Sequence, residues 1–373
     1  HSFEDGYFVL SASRELADIE GAQILQIGTS NIENVFEVMQ EHMGAENTGQ
    51  KLDRFPLYSA MTELLYESGI TASPESAQVT FQKDGRRFTK EIEGESYYQW
   101  AWFYFQPKDS ISRLPYQHNL YRQHYWSEVL NGQDILYVNI NNLQDQDGLS
   151  VADFAGTLER DLDELDYGKV VIDLRQNRGG DNFKSRKIAS VIQDSHKANQ
   201  PGKLFVLISR RTFSAAVNLT SLLENQTHAI FVGGDTGQGP NQFGDAAGLK
   251  LKHSGIWVAV SSVDWRGSFA GDTRKAIAPH YRVGYRFDDY LTGQDPAMDF
   301  VAEFKTDDLA QHRPASGLQP ATYLTDEGQL VKIRQNEKGV WYLSINDYSD
   351  VSLHQVYTPI YQAEDGGYET TLR

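Results

Sequence analysis

Two stretches of this chain stop at residues suited to acyl transfer. Val170 to Asn182 (VVIDLRQNRGGDN) is an apolar run that halts at Asn177-Arg178-Gly179-Gly180. Leu204 to Leu223 (LFVLISRRTFSAAVNLTSLL) holds a second run that halts at Arg211-Thr212-Phe213-Ser214. Runs of this kind read as buried parallel strands, and ligands of such sheets sit beyond the strand ends. If the two ends meet, a glycine backbone faces a serine hydroxyl. Ala215, Ala216, Val217, Leu219, Leu222 and Leu223 then follow Ser214 with helical spacing. A serine at that junction lies among unpaired amide N–H groups and near the positive end of the helix dipole. The amides at such a helix start can stabilise an oxyanion, and Gly179 or Gly180, lacking a Cβ, could bring a second donor close to the reacting carbonyl. The competing reading is structural: serine is a favoured N-cap.

The sheet that must hold these residues follows from alternation. Ile135–Ile140, the two signature runs, Ile230–Val232 and Ile256–Val260 read as strands, with helical patterns between them, which predicts an α/β layered core. A helix over about 150 to 165 presents Val151, Phe154, Leu158, Leu162 and Leu165 to that sheet. Its Glu159, Asp161, Asp163 and Glu164 form the solvated face rather than a catalytic carboxylate pair. Residues 1–95 carry strands at Tyr7–Leu10 and Gln23–Ile27, amphipathic helices, and a hairpin of Ala77–Phe81 with Phe88–Ile92 turning at Asp84-Gly85. Residues 96–315 form the core, opening with the aromatic run Ser96–Phe105, read as inter-domain packing rather than a substrate groove. Residues 316–373 hold strand-like runs at Gln329–Ile333, Val340–Ile345 and Leu353–Tyr357, a small antiparallel β module.

These motifs resemble the paired signature of the C-terminal processing, or tail-specific, protease family, which is related to the tricorn protease core and to interphotoreceptor retinoid-binding protein repeats. Asp173, Leu174, Arg175, Asn177, Gly179 and Gly180 match its first element, and Thr212, Ser214, Ala215 and Ala216 its second. Val232, Gly233, Thr236 and Gly237 match a third, and the likeness spans roughly residues 125 to 300. The resemblance implies a ClpP/crotonase-like layered core and a serine endopeptidase acting on peptides or unfolded protein, with Ser214 as nucleophile and an oxyanion hole from the Ala215 amide and the Gly179 or Gly180 amide. It also implies an N-terminal PDZ-like α/β domain, for which a small α/β packing domain with no ligand is the open alternative. It also implies export to a bacterial periplasm or cell envelope. The chain departs from the family where many members carry a lysine base: that position is Gly239, beside Gln238. Lys250 and Lys252 reach the site only by an unusual register. The general base is therefore not the usual lysine. His1, His118, His124 and His280 are loose candidates, none of them in a diagnostic motif. A catalytically inactive protease fold that binds peptides or apolar small molecules is the alternative.

Composition narrows the remainder. The formal charge of -17, from 51 acidic against 34 basic residues, argues against nucleic acid as a partner. The chain has no cysteine, so disulfides and thiolate metal sites are excluded. No cofactor or metal motif stands out, since Pro240 occupies the lysine position of the P-loop-like GGDTGQGP and no HExxH-type spacing occurs. No stretch is long and apolar enough for a membrane span. His1 opens directly into an apparent strand, the pattern of a processed N-terminus. Oligomer formation is left open by the sequence.

Overall fold

The computed structural model describes residues 1–95, 123–130, 132–268 and 272–305, together with the strands of 321–372; the aromatic run and His118 lie outside the described residues. The first ninety-odd residues contain β1 (Ser2–Phe3), β2 (Gly6–Tyr7), β3 (Gln23–Ile27), β4 (Ser30–Asn31), α1 (Ile32–Met39), α2 (Thr48–Tyr58), α3 (Thr62–Glu67), β5 (Ser76–Lys83) and β6 (Arg86–Glu93). Strands β4-β3-β5-β6 form an antiparallel sheet. The β5–β6 hairpin turns at Asp84 and Gly85, both at positive φ (50° and 74°), as an Asp-Gly turn requires. Val35, Phe36, Met39, Phe55 and Leu65 lead the apolar core beneath this sheet. The strand expected at Tyr7–Leu10 is shorter than its sequence suggests. Only Gly6–Tyr7 pairs with β1, and the Phe8 ring instead stacks on Phe287 at 4.1 Å. Here tertiary ring packing wins over β propensity.

The central sheet is built from β7 (Tyr125–Leu130), β8 (Ile135–Ile140), β9 (Lys169–Asp173), β10 (Leu204–Ile208), β11 (Ile230–Gly233) and β14 (Tyr281–Arg282), in the order β14-β11-β10-β9-β8-β7. All neighbours are parallel except β7 with β8. Helices α4 (Val151–Glu164), α5 (Asn182–Asp194) and α6 (Ala215–Gln226) cover one face; α8 (Pro296–Glu303), which follows α7 (Phe287–Thr292), covers the other. The two-residue period of a strand sorts the side chains between these layers. Val170, Ile172, Leu204, Val206 and Ile208 enter the core with α4–α6, while Val171, Phe205 and Leu207 enter the core with Val301 and Phe304. α4 begins with the capping box of Ser150 and Asp153 and buries Val151, Phe154, Leu158 and Leu162, leaving Glu159, Asp163 and Glu164 in solvent.

Between β11 and β14 the chain makes a long antiparallel ribbon, β12 (Asn241–Lys250) with β13 (Trp257–Arg266). The C-terminal strands β15 (Ala321–Leu324), β16 (Leu330–Gln335), β17 (Trp341–Ile345), β18 (Val351–Gln355), β19 (Tyr361–Glu364) and β20 (Thr370–Leu372) pair in chain order as an antiparallel meander. Six strands stand where the apolar runs marked three. The additional ones, such as Tyr361–Glu364 with Thr370–Leu372, are too short and too polar to signal themselves.

Candidate active site

The strand order brings the two signature segments together. β9 and β10 are adjacent and parallel, with Val170 to Asp173 opposite Leu204 to Leu207, so both runs finish at the same sheet edge. Beyond that edge their loops are joined by a ladder of hydrogen bonds. The Leu174 amide donates to Leu207 O (2.9 Å), Ser209 Oγ to Arg175 O (2.6 Å), Thr212 Oγ1 to Leu174 O (2.9 Å) and the Phe213 amide to Asn177 O (3.0 Å). Asn177, fully buried, donates from Nδ2 to Ile140 O at 2.9 Å. Thr212 and Asn177 are thus fasteners that fix the approach of one loop to the other.

Below the loops lies a buried ionic knot. Arg175 meets Asp173 (Nη2 to Oδ2, 2.6 Å) and Asp295 (Nη1 to Oδ1, 2.8 Å), and the Tyr137 hydroxyl donates to Asp173 Oδ2 at 2.6 Å. Burial, reinforced by Asp173, pushes the Tyr137 hydroxyl pKa well up, so it remains a donor. The Asp-Leu-Arg element therefore anchors a strand end to α8 and does not face the loop tips.

Ser214 occupies the N-cap position of α6 without acting as a cap: its side chain makes no capping hydrogen bond. Its backbone sits at φ 54°, ψ -125°, a conformation costing about 1–3 kcal/mol for a residue with a Cβ. The surrounding structure must enforce it. One restraint is the Ser214 amide, which donates to Gln238 Oε1 at 2.9 Å. Gln238, itself buried, donates from Nε2 to Glu46 Oε1 at 2.7 Å, and Gln242 Nε2 donates to Ser214 O at 2.9 Å. Gly179, at φ 114°, lies against the serine. A Cβ there would stand 2.7 Å from Ser214 Cβ and 3.1 Å from Oγ, closer than side chains pack. The Gly179 amide is already engaged, donating to Asn177 Oδ1 at 2.8 Å. The amides of Gly180 and Ala215 have no acceptor among the described residues.

No side chain among the described residues hydrogen-bonds Ser214 Oγ. Gly239 has no room for a larger residue, because a Cβ would fall 2.1 Å from the Arg274 carbonyl oxygen. Lys250 and Lys252 stand at the exposed far end of the ribbon. His124 Nδ1 pairs with Gln144 O (2.8 Å), and His280 Nδ1 accepts the Phe231 amide (2.8 Å). His1 lies by β1, where its carbonyl accepts the Phe8 amide.

The N-terminal layer closes on this region through α2. Asp53, almost fully buried, binds Arg178 (2.6 Å) and Arg211 (2.8 Å), one from each signature loop. Burial would raise its pKa, but Arg211 and Arg178 outweigh that and hold the carboxyl below its ordinary 3.8. Asn47, the N-cap of α2, donates to Thr236 O (3.0 Å) and Lys275 O (2.7 Å). The roles of Gln238, Glu46 and Asp53 do not show in motif reading, because their partners lie far away along the chain. Among the described residues no group of acidic or histidine side chains could hold a metal ion, and no helix is long and apolar enough to cross a membrane.

No protein-family model matches the chain, and no curated protein matches it. Solved structures do. A mutant form of CPAF is similar at 12% identity with a TM-score of 0.51, covering 86% of this chain and 83% of that one. Mature CPAF is similar at 13% identity and TM-score 0.47, over 81% and 80% of the two chains. The photosystem II D1 C-terminal processing protease gives 13%, 0.32, and 76% with 70%. The structural neighbours include a putative S41 protease from Bacteroides fragilis, the family type that the signature motifs resemble. At these identities the likeness is one of fold: a mixed α/β protein with a central sheet and covering helices.

Proposed function

We propose that the chain is a serine endopeptidase of the tail-specific type, working through an acyl-enzyme on Ser214. The observation that carries this reading is the conformation of Ser214. Its strained backbone leaves the hydroxyl out of capping, and it stands beside Gly179 with the Ala215 and Gly180 amides unpaired among the described residues. In this mechanism Ser214 Oγ attacks the scissile carbonyl carbon, and the oxyanion accepts hydrogen bonds from the Gly180 and Ala215 amides. The bond to the amine breaks as the proton lost from Ser214 Oγ passes to the departing nitrogen; water then attacks the acyl ester, its OH going to the acyl group and its proton back to Ser214 Oγ. Gly179, whose amide is committed to Asn177, contributes the absence of a side chain. The base is not a lysine at 239, where the backbone of Arg274 fills the space.

The same reading assigns a ClpP/crotonase-like layout to the core and a PDZ-like role to the N-terminal sheet. Its edge strand β6 offers backbone groups for strand addition by an extended peptide. Peptides or unfolded proteins are the substrates, and the envelope or periplasm is the site of action. A fluorophosphonate probe is expected to label Ser214, with labelling and casein hydrolysis both lost in Ser214→Ala. A folded wild-type protein that stays unlabelled across a broad pH range would refute activity. The second reading, an inactive protease fold that binds peptides or apolar small molecules, is favoured by a Ser214 hydroxyl without a side-chain partner among the described residues. Ser214-dependent hydrolysis would eliminate it.

A further inference from the structure

The two amides assigned to the oxyanion belong to different elements. That of Ala215 opens α6, and that of Gly180 lies two residues before α5. Leu143 holds the glycine segment from one side: its amide donates to Gly179 O and its carbonyl accepts the Asp181 amide, both at 2.9 Å. On the other side the first turns of the two helices are tied by side chains. Asn218, one turn into α6 and 7% exposed, donates from Nδ2 to Oδ1 of Asn182, the first residue of α5, at 2.7 Å.

The serine backbone fixes the direction of this bond. Gln242 Nε2 donates to Ser214 O at 2.9 Å, and a carbonyl oxygen can only accept, so a nitrogen must stand there. The same nitrogen lies 3.2 Å from Asn218, which must present Oδ1 to it and turn Nδ2 toward Asn182. Gly267 closes over this chain of amides: a Cβ there would meet Pro240 O at 2.7 Å and Asn218 Oδ1 at 3.1 Å. Buried and directional, such a chain holds its members more firmly than the same bonds in water. We propose that Asn218 is a positioning residue, which through Asn182 sets the separation between the Gly180 and Ala215 amides. That role rests on the peptidase reading and needs no contact with substrate, since both asparagines act through the two donors. An oxyanion gains only from donors aimed at the position it will take, so a changed separation penalises the transition state more than the bound substrate.

The test is saturation kinetics of fluorophosphonate labelling on the full chain, with hydrolysis of dye-labelled casein beside it. Asn218→Leu removes the donor and Asn182→Leu the acceptor, and urea denaturation of each variant checks that it is folded. Each is expected to lower the maximal labelling rate, and kcat on casein, about ten- to a hundredfold while KM stays within about twofold. Because both break the same bond, the double variant should be no slower than the slower single variant. Asn182 is only half-buried, so Asn182→Leu carries the comparison by itself if Asn218→Leu does not fold. Folded variants labelled at the wild-type rate, a loss confined to KM, or losses that multiply in the double variant would overturn the role of Asn218 and leave the peptidase reading standing. A folded wild-type protein that is never labelled would overturn both.

Discussion

Replacing Gly179 by alanine tests the central geometry with one methyl group. The added Cβ would meet Ser214 Cβ at 2.7 Å, Phe213 O at 3.1 Å and Ser214 Oγ at 3.1 Å, and the residue would be held at φ 114°. The backbone conformation costs about 1–3 kcal/mol for alanine. Overpacking a site whose neighbours cannot retreat adds a further ~1–3 kcal/mol. Retreat is restricted here, since the Phe213 amide is bonded to Asn177 O and the Ser214 amide to Gln238. The expected destabilisation is thus about 2–6 kcal/mol, read by urea denaturation. Whatever clash is relieved displaces the Ser214 hydroxyl by a fraction of an ångström to an ångström, and fluorophosphonate labelling should slow by about a hundredfold. Gly69→Ala is the control: it too has positive φ (72°), but no atom lies within 4 Å of its Cβ. It should cost about 1 kcal/mol and leave labelling unchanged. A Gly179→Ala protein as stable as wild type and labelled at the same rate would refute the close approach of the two loops.

Three further outcomes follow from the same contacts. Gln238→Leu removes the acceptor of the Ser214 amide and the donor to Glu46; labelling should fall about tenfold or more while the fold persists, and an unchanged rate would show that the bracket is dispensable. Gly239→Lys should not create a Ser–Lys dyad: the lysine cannot be seated without moving the Arg274 backbone, so calorimetry should register a loss of stability and labelling should not rise. Asp53→Asn strips the ionic partner from Arg178 and Arg211, both partly exposed, and should cost about 1–2 kcal/mol near neutrality. Because the folded carboxyl titrates below 3.8, this contribution is complete above the ordinary carboxylate range and is lost as pH falls through the lower folded value. The gap between wild type and Asp53→Asn should therefore close in acid, and a gap independent of pH would exclude an ionic origin.

What was legible in the sequence is what local chemistry dictates. The strands of the core are apolar runs because both faces of a parallel sheet are covered, so Val170 to Ile172 and Leu204 to Ile208 announce themselves. The Asp84-Gly85 turn and the Ser150–Asp153 capping box are readable for the same reason: each works within a few residues. Ser214 as the junction residue was equally plain, yet capping and nucleophilic readings share the same letters. The torsion angles and the absence of a capping hydrogen bond speak against the capping reading, and neither is encoded in composition. That the Gly179 amide is engaged likewise depends on where the Asn177 side chain folds back. The brackets lay furthest from reach. Glu46 to Gln238 and Asp53 to Arg211 join positions 192 and 158 residues apart, contacts that exist only once α2 has docked on the strand ends. The docking itself places a strained serine under the control of a neighbouring layer. With the amide of Ser214 tied through Gln238 to Glu46, any displacement of the segment preceding α2 acts on the serine backbone before it reaches the hydroxyl. Shifts in labelling rate on Gln238→Leu without loss of stability would measure that linkage directly.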